Sequence, residues 1–386
     1  MTDDGASGFS YAGAVLTIDL NAIRWNYRLL RGKLSSGTRC AAVLKADAYG
    51  LGVDRVAPAL HAEGCRDFFV ALLDEGLRLR PLVSGASVYV LNGLPRGAEA
   101  ECAAAGLVPV LNSWEQCLAW SQCASRLGRT LPAVVQVDSG MNRFGWSPSE
   151  IKAWIDAGCR VEGVEVRYVM SHLACADVPG NPANEAQLKR FLEIARHFPG
   201  VPRSFANSSG IFLGANYHGD LARPGAALYG VNPVPGNPNP MRRVVGLTAQ
   251  VVQIREAGKG DRVGYGGDWH IDRPARLATL SIGYADGIHR ALHQRGRVYF
   301  EGGALRIAGR VSMDCMSVDV TPVPTERISS GSSIELIGQH QSIDHLAGAI
   351  GTIGYEVLTS LGSRFRKIYQ GGVETARCQS AGELQG

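Results

Sequence analysis

The sequence predicts an α/β protein in which an N-terminal (β/α)₈ barrel of the TIM type is followed by a mainly β C-terminal domain. Between residues 40 and 230, short apolar runs alternate with longer helical stretches, a pattern typical of βαβ units. The runs number eight, which favours a closed barrel over a doubly wound sheet of about five or six strands. The eight runs are residues 40–46, 67–72, 88–91, 108–111, 134–137, 164–171, 204–207 and 222–229.

A change of composition after Tyr229 predicts the domain boundary. The segment V-N-P-V-P-G-N-P-N-P contains four prolines in ten residues, a composition that stops both helices and strands. Beyond it, β-type stretches are separated by turns rich in Gly and Pro, and residues 343–361 are partly helical in pattern. We therefore assign residues 1–235 to the barrel, 241–372 to the β domain and 373–386 to a disordered tail. Residues 10–20 contain a strand pattern that can pair with the β domain.

Composition narrows the class of protein. The chain has 386 residues, of which 45% are hydrophobic and 19% charged, as expected for a globular enzyme. A net charge of +4 without basic runs argues against nucleic acid as a partner. The nine cysteines form no C-x-x-C pair and no zinc-like spacing with histidine, so no metal is expected. Neither a signal peptide nor a membrane-spanning stretch is recognisable, and we expect a cytoplasmic location.

Lys45 stands out among the six lysines because it follows the apolar run A-A-V-L at the predicted end of the first barrel strand. Burying an ammonium group is costly unless it is paired or loses its proton. A neutral amine at the C-terminal mouth of a barrel is able to form a Schiff base with an aldehyde. Alternatively, the side chain reaches solvent along its aliphatic stem, and position alone does not decide between the two interpretations.

The residues around Lys45, A-V-L-K-A-D-A-Y-G-L-G, resemble the pyridoxal-phosphate attachment motif of alanine racemases. Eight further segments resemble the same family, in family order along nearly the whole chain. They are V-D-S-G-M-N-R-F-G, S-H-L-A-C-A-D, A-N-S-S-G, A-R-P-G-A-A-L-Y-G, G-Y-G, S-I-G-Y-A-D-G, G-R-V-S-M-D and G-T-I-G-Y-E. The resemblance implies pyridoxal phosphate held on Lys45, a barrel followed by a β domain, and a homodimer whose active sites are completed across the interface.

The resemblance also implies which residues hold the cofactor. It assigns the pyridine nitrogen to Arg223, and it makes His172 a relay between Arg223 and a tyrosine of the partner subunit. The other implied cofactor residues, most of which offer hydroxyl or backbone N–H groups to the phosphate, are Tyr49, Asn207, Ser208, Gly225, Ala226 and Tyr355. Taken singly, A-N-S-S-G also fits a plain turn, the two tyrosines and His172 fit the core, and Arg223 fits a surface ion pair.

Racemisation needs a base on each face of the substrate, and Lys45 serves only one face. Tyr265, in R-V-G-Y-G-G-D-W, resembles the second base of the family, which reaches into the neighbouring subunit's site. A phenol with a pKa near 10 is a poor base at neutral pH, so cationic neighbours or the partner histidine must assist it. By position alone, Tyr265 is simply a tyrosine beside a glycine turn.

The substrate contacts implied by the resemblance lie in three segments. Arg143 binds the substrate carboxylate, assisted by the backbone at Met313 of the other subunit. Asp314 orients the Met313 loop, although an ordinary turn carboxylate is the simpler interpretation. Tyr284 and Asp286 resemble entryway residues, which together with Tyr355 restrict the site to small side chains.

The sequence departs from the family at two positions. Many members carry a carbamylated lysine seven residues before the carboxylate-binding arginine, and this chain has Gln136 there. An amide replaces a charge-assisted partner of Arg143 with a weaker one, and it frees the site from dependence on carbon dioxide. The other departure is Ser312, where cysteine is frequent, and we expect little consequence from it.

The resemblance therefore predicts an isomerase that interconverts L- and D-alanine and supplies D-alanine for peptidoglycan. A broad-specificity or serine-preferring racemase on the same scaffold is an alternative that the weaker support of Arg143 keeps open. A non-catalytic pyridoxal-phosphate carrier is a different class, but it predicts a lone barrel without the segment that contains Tyr265 and Met313. A decarboxylase of similar architecture is disfavoured because position 223 is an arginine rather than a carboxylate.

Overall fold

The computed structural model describes residues 7–8 and 11–371, so the predicted tail at 373–386 lies outside the described residues. In the first part of the chain, strands alternate with helices. The elements are β1 (Ser7–Gly8), β2 (Ala14–Asp19), α1 (Leu20–Lys33), β3 (Arg39–Cys40), β4 (Ala42–Val43), α2 (Lys45–Tyr49), α3 (Val53–Ala62), β5 (Asp67–Val70), α4 (Leu73–Leu79), β6 (Ser87–Val90), α5 (Glu99–Ala104), β7 (Val108–Leu111), α6 (Trp114–Leu127), β8 (Leu131–Gln136), α7 (Pro148–Asp156), β9 (Val164–Met170), α8 (Pro182–Ala195), β10 (Arg203–Ser204) and β11 (Leu221–Ala222).

These strands form a parallel barrel with eight strand positions. Seven strands run in the order β10-β9-β8-β7-β6-β5-β4, and β11 pairs with β3. Two contacts between single residues join β11 to its neighbours on either side and so complete the barrel. Asn207 bridges to Arg223, and Ala41 N–H donates to the Ala222 carbonyl at 2.9 Å. The predicted fold class is thus confirmed, with β3 and β4 as two halves of one strand on either side of Ala41.

The first and last predicted strands end earlier than expected. The first ends at Val43, because Lys45 begins a turn of unusual conformation that is described below. The last ends at Ala222, and residues Ala226–Tyr229 form a 3₁₀ turn instead. Pro224 has no N–H to donate to a neighbouring strand, which explains why regular pairing stops there.

The helices begin and end where side chains satisfy their terminal backbone groups. Asp19 accepts from Ala22 N–H at 2.9 Å at the start of α1. At the start of α7, Ser147 and Glu150 form a capping box. Helix α6 ends at Gly128, which takes the left-handed conformation with φ of 60°. These stops keep the loops short between each helix and the next strand.

The second part of the chain is mainly β, as predicted. Its elements are β12 (Val245–Ala257), β13 (Arg262–Val263), β14 (Trp269–His270), β15 (Ala275–Leu280), α9 (Leu292–Arg295), β16 (Arg297–Phe300), β17 (Gly303–Ala308), β18 (Met316–Asp319), β19 (Ser333–Ile337), α10 (Ile343–Ile350), α11 (Gly354–Ser360) and β20 (Arg366–Gln370). The main sheet has the order β1-β20-β2-β12-β15-β18-β17-β16-β19, and β19 returns to pair with the long strand β12.

The two parts of the chain are joined by strand pairing as well as by packing. Strand β2, which precedes the barrel in sequence, pairs antiparallel with β12 and parallel with β20. From β20, Lys367 Nζ donates to the Gly50 carbonyl at 2.9 Å and Tyr369 Oη donates to the Leu51 carbonyl at 2.8 Å. The β domain therefore holds the segment that follows Lys45. Among the described residues, no helix combines the length and apolar character needed to cross a membrane.

Candidate active site

A cavity of about 360 Å³ opens at the carboxyl ends of the barrel strands, and Lys45 lines it. Strands β4, β8 and β9 and the segments after β10 and β11 contribute its walls, and α11 adds Tyr355. Residues from distant parts of the sequence meet there because parallel strands end at one rim of a barrel. The predicted site residues that line the cavity are Lys45, Tyr49, Gln136, Arg143, His172, Asn207, Ser208, Arg223, Gly225, Ala226 and Tyr355.

Lys45 is half-buried at the rim of this cavity. Burial lowers the pKa of its amine, the Arg143 guanidinium lowers it further, and the Glu75 carboxylate opposes both effects. A lowered pKa increases the fraction of neutral amine, which is the form that attacks a carbonyl. The environment therefore favours Lys45 as a nucleophile over a solvated surface lysine.

The residues after Lys45 adopt a left-handed turn. Ala46, Asp47, Ala48 and Tyr49 have φ values between 54° and 57° although none is glycine. Each such residue costs about 1–2 kcal/mol, so the turn persists only because its surroundings hold it. The turn carries the Tyr49 ring back against Tyr229, with ring centroids 4.6 Å apart. The Tyr49 hydroxyl thereby lies over the backbone that follows β11.

Hydroxyl groups and backbone amides converge at one end of the cavity. Ser208 Oγ accepts from Gly225 N–H at 2.9 Å and from Ala227 N–H at 3.2 Å. A Cβ atom on Gly225 would lie 2.3 Å from the Tyr49 hydroxyl, so only glycine allows this close approach. With Tyr355 on the same wall, this end of the cavity suits a phosphate group.

Arg223 is a buried guanidinium without an acidic partner. Its side chain is 4% exposed, and its Nη atoms donate to Ser204 Oγ at 2.5 Å and to the Ser171 carbonyl at 2.7 Å. No carboxylate of the described residues forms an ion pair with it. Burial lowers its pKa to about 9. An uncompensated buried cation facing a cavity favours a ligand that accepts hydrogen bonds there.

His172 lies beside Arg223 on the same wall. Its Nδ1 is 3.4 Å from Arg223 Nη2, and because a guanidinium only donates, this nitrogen is the acceptor. Burial lowers the pKa of His172 to about 3, and the charges of Arg223, Arg143 and Lys45 act in the same direction. The imidazole is therefore neutral at physiological pH and keeps its proton on Nε2.

Gln136 and Arg143 form the other end of the cavity. Gln136 is buried at the end of β8, and the described residues give its side chain no hydrogen-bond partner. Arg143 is exposed, and its guanidinium lies 5.8 Å from the centroid of the Phe144 ring. Asp138, which sequence reasoning missed, shapes this loop because its Oδ1 accepts from the N–H groups of residues 140 and 141, both at 2.9 Å. The sequence signal that could have identified Asp138 is the segment V-D-S-G, which is typical of an Asx turn.

Three predicted residues lie outside this cavity, on an exposed surface of the β domain. Tyr265, Tyr284 and Met313 are 70%, 42% and 53% exposed, respectively. Their loops touch one another: Tyr284 N–H donates to the Ser312 carbonyl at 3.0 Å, and Gly264 approaches the backbone of residue 310. We call this group the aromatic surface. Large apolar side chains exposed together mark a contact for another molecule.

Asp286 differs from the predicted picture, because Arg364 joins it to Asp314 beside the aromatic surface. Arg364 Nε donates to Asp286 Oδ1 and its Nη1 donates to Asp314 Oδ1, both at 2.7 Å. Asp286 is buried and also accepts from Gly283 N–H at 2.9 Å, so it supports the loop and does not line an entryway. Arg364 carried no sequence signal because its two partners lie 78 and 50 residues away along the chain.

Comparison with known proteins agrees with this geometry. The family model described as alanine racemase, N-terminal domain, matches residues 18–233, and the model for the C-terminal domain matches residues 244–369. A catabolic alanine racemase of Mesorhizobium japonicum is 54% identical over 362 residues, which cover 94% of each chain. An alanine racemase of Brucella ovis is 45% identical over 372 residues, covering 93% of this chain and 94% of that protein.

Solved structures give the same result. The alanine racemase of Bartonella henselae, whose crystal structure contains covalently bound pyridoxal phosphate, has a TM-score of 0.89 and 42% identity, and the match covers 92% of this chain and 99% of that one. The biosynthetic alanine racemase of Pseudomonas aeruginosa has a TM-score of 0.86 and 36% identity, covering 93% and 99%. On the matched domains, the relatives and the fold, the chain belongs to the alanine racemase family.

Proposed function

We propose that this chain interconverts L- and D-alanine with pyridoxal phosphate bound through Lys45. The observation that carries the proposal is one cavity that joins a lysine of lowered pKa to a buried arginine without a carboxylate partner. Curated relatives at 45–54% identity are alanine racemases, which makes the chain an isomerase.

The residues of the cavity fit pyridoxal phosphate at three points. The Lys45 amine fits its aldehyde, the hydroxyl and backbone groups around Ser208 and Gly225 fit its phosphate, and Arg223 fits its pyridine nitrogen. The close approach that only Gly225 permits supports a phosphate at that end of the cavity. When bound, pyridoxal phosphate withdraws electrons from the α-carbon of the amino acid and so makes the α-proton acidic.

Arg223 favours return of the proton over transfer of the amino group. A guanidinium keeps its proton even with the lowered pKa that burial gives Arg223. It would therefore donate a hydrogen bond to the pyridine nitrogen of a bound cofactor without protonating it, so that electron withdrawal would stay moderate. His172 accepts a hydrogen bond from Arg223, and we propose that it in turn orients the tyrosine that serves as the second base.

We propose that the second base is Tyr265 of the partner subunit. Lys45 reaches only one face of the substrate, and the chain's own Tyr265 does not line the cavity. Tyr265 is exposed on the aromatic surface together with Tyr284 and Met313, which suits insertion into a second copy of the cavity. A homodimer with two shared sites is the assembly that satisfies both observations, because a two-fold interface repeats each contact.

Arg143 binds the substrate carboxylate in this proposal, and the backbone at Met313 of the partner subunit assists it. Gln136 lines the same cavity and would offer Arg143 a neutral acceptor there, so we propose that the site needs no carbamate. A serine-preferring or broad-specificity racemase is the second candidate, because Gln136 makes no hydrogen bond to Arg143 in the structure and a neutral amide would hold it less firmly than a charged group. Relative rates on alanine, serine and lysine separate the two candidates.

The physiological role is a separate proposal. Supply of D-alanine for peptidoglycan follows from the reaction, and a cytoplasmic location accords with the eight free thiols of the described residues. The relatives from Mesorhizobium japonicum and Agrobacterium fabrum are named catabolic, which favours D-alanine breakdown as a second candidate role. We also propose a domain boundary between residues 235 and 241, within the proline-rich segment.

Chiral analysis of L-alanine incubated with the purified chain and pyridoxal phosphate tests the main proposal. We expect D-alanine to accumulate until both enantiomers are equal, and we expect Lys45→Ala to abolish this. Lys189→Ala is the matched control, because Lys189 is an exposed lysine on α8. Absence of D-alanine with the wild-type chain contradicts the proposed activity.

A further inference from the structure

We propose that Glu75 is a positioning residue for Lys45, because its carboxylate ties the turn after Lys45 to the end of the second barrel strand. The inference rests on the proposed function only in that Lys45 is taken as the cofactor lysine. Glu75 lies on α4 and does not line the cavity. Its charge opposes the lowering of the Lys45 pKa, and its hydrogen bonds act on the site through the backbone.

The Glu75 carboxylate uses both oxygens to accept from three backbone amides. Oε1 accepts from Ala46 N–H at 2.6 Å. Oε2 accepts from Ala71 N–H at 2.7 Å and from Leu72 N–H at 3.1 Å. Ala46 follows Lys45, whereas Ala71 and Leu72 follow β5, so one side chain joins two neighbouring strand ends. Hydrogen bonds to a charged acceptor are roughly twice as strong as neutral ones.

The turn that Glu75 holds is unfavourable by itself. Ala46 is the first of the four consecutive left-handed residues, and the side chain of Lys45 leaves the backbone immediately before it. An unfavourable conformation persists where its surroundings over-determine it. Within the turn, Ala48 N–H donates to the Leu44 carbonyl at 2.9 Å, but Ala46 N–H is fixed from outside, by Glu75. Releasing that amide frees the backbone next to Lys45.

The opposite side of the segment is held separately. Arg78, one turn further along α4, pairs with Asp47 at 3.1 Å and also with Asp54. Lys367 of β20 donates to the Gly50 carbonyl. These contacts begin after Ala46, so they keep the segment folded when Glu75 is changed. Glu75 is thus the contact that acts at the Lys45 end of the turn.

Two variants test the inference in the full-length holoenzyme. Glu75→Gln keeps the shape but offers one acceptor oxygen instead of two, so it cannot serve both loops. Asp74→Asn is the matched control, because it removes the same charge from an exposed neighbour on the same helix. For Glu75→Gln we expect pyridoxal phosphate to dissociate about tenfold faster and kcat to fall about tenfold, the factor that corresponds to about 1.4 kcal/mol. KM for alanine stays unchanged, because Arg143 is untouched.

Hydrogen–deuterium exchange at residues 46–49 supplies a measurement that does not depend on turnover. We expect faster exchange there for Glu75→Gln than for Asp74→Asn, measured at a temperature at which both variants are folded. Equal exchange and equal cofactor release in both variants overturn the inference. Failure of the wild-type chain to bind pyridoxal phosphate sinks the proposed function instead, while exchange in the cofactor-free chain still decides the Glu75 contact.

A third variant, Glu75→Asp, tests the inference if Glu75→Gln does not fold. Aspartate keeps the charge and both oxygens but is shorter by one methylene group. We expect Glu75→Asp to fold and to retain the faster release of pyridoxal phosphate, because the shorter side chain does not span the two loops. Release at the wild-type rate from Glu75→Asp contradicts the inference.

Discussion

Replacing Arg364 with methionine removes two ion pairs behind the aromatic surface while it keeps most of the side-chain length. The side chain of Asp286 is 8% exposed, that of Asp314 is 63% exposed, and that of Arg364 is 41% exposed. The variant therefore separates a buried carboxylate from its cation on one side and breaks a solvated pair on the other. The two pairs contribute unequal amounts to stability.

The expected loss in the free energy of unfolding follows from how exposed these three side chains are. Removing the partner of a fully buried charge costs about 3–5 kcal/mol, whereas an exposed pair contributes about 0–1 kcal/mol. Water reaches Arg364, and Gly283 N–H still donates to Asp286 Oδ2 at 2.9 Å, so we discount the buried pair to about 1.5 kcal/mol. With a small share from Asp314, Arg364→Met lowers the free energy of unfolding by about 2 kcal/mol.

Urea unfolding of the holoenzyme measures the stability effect, and steady-state kinetics measures the effect on the site. The loops that Arg364 joins carry Tyr284 and Met313, so we expect KM for alanine to rise about tenfold, the factor for about 1.4 kcal/mol, while pyridoxal phosphate stays bound. Arg366→Met is the matched control, because it removes an exposed arginine two residues along. Equal urea midpoints and equal KM values for the two variants would refute the reasoning.

Three further predictions concern the cavity. Arg223→Glu would stabilise a proton on the pyridine nitrogen of a bound cofactor and is expected to lower racemisation and raise transamination; unchanged rates of both reactions, followed by chiral analysis and pyruvate release, contradict this role. Burial and the neighbouring cations lower the pKa of His172 from 6.5 to about 3, so between these values the unfolded chain binds a proton that the folded chain does not. The free energy of unfolding of the cofactor-free chain therefore falls as pH falls from 6.5 towards about 3. In urea unfolding at several pH values, His172→Gln is expected to make this dependence of the unfolding free energy on pH shallower. An identical dependence in the variant and the wild-type chain argues against a neutral imidazole. Because Gln136 carries no amine, removal of bicarbonate leaves kcat unchanged, whereas Gln136→Lys is expected to become bicarbonate-dependent, and dependence in the wild-type chain contradicts the assignment.

The barrel and the cavity were predictable because their signals are local or repeat along the chain. Eight alternating runs predict eight strand positions, and motifs that directly follow these runs predict which side chains share the rim. Lys45 was singled out by its position, whereas Arg223 and Ser208 were implied by the family resemblance, and all three line the cavity. Strand ends were less predictable, since Ala222 is the last regular residue of its strand although the apolar pattern continues to Tyr229.

The supports of the site were not predictable, because they depend on pairs that are distant in sequence. By sequence, Glu75 is one of the acidic residues that commonly occupy the first turn of a helix. Its contact with Ala46 could not be predicted, because the two residues lie 29 positions apart. The left-handed turn at residues 46–49 contains no glycine, so the sequence gives no local sign of it. Asp286 resembles an entryway residue by its motif, but the fold buries it against Arg364.

A heterodimer of two inactive chains tests the central claim most directly, namely that Lys45 of one subunit acts with Tyr265 of the partner subunit. Lys45→Ala and Tyr265→Phe chains with different affinity tags are co-expressed, and the mixed dimer is purified and assayed for D-alanine formation. One of its two sites then combines both lesions and the other is intact, so we predict about half of the wild-type rate. A mixed dimer as inactive as its parents contradicts a site shared between subunits.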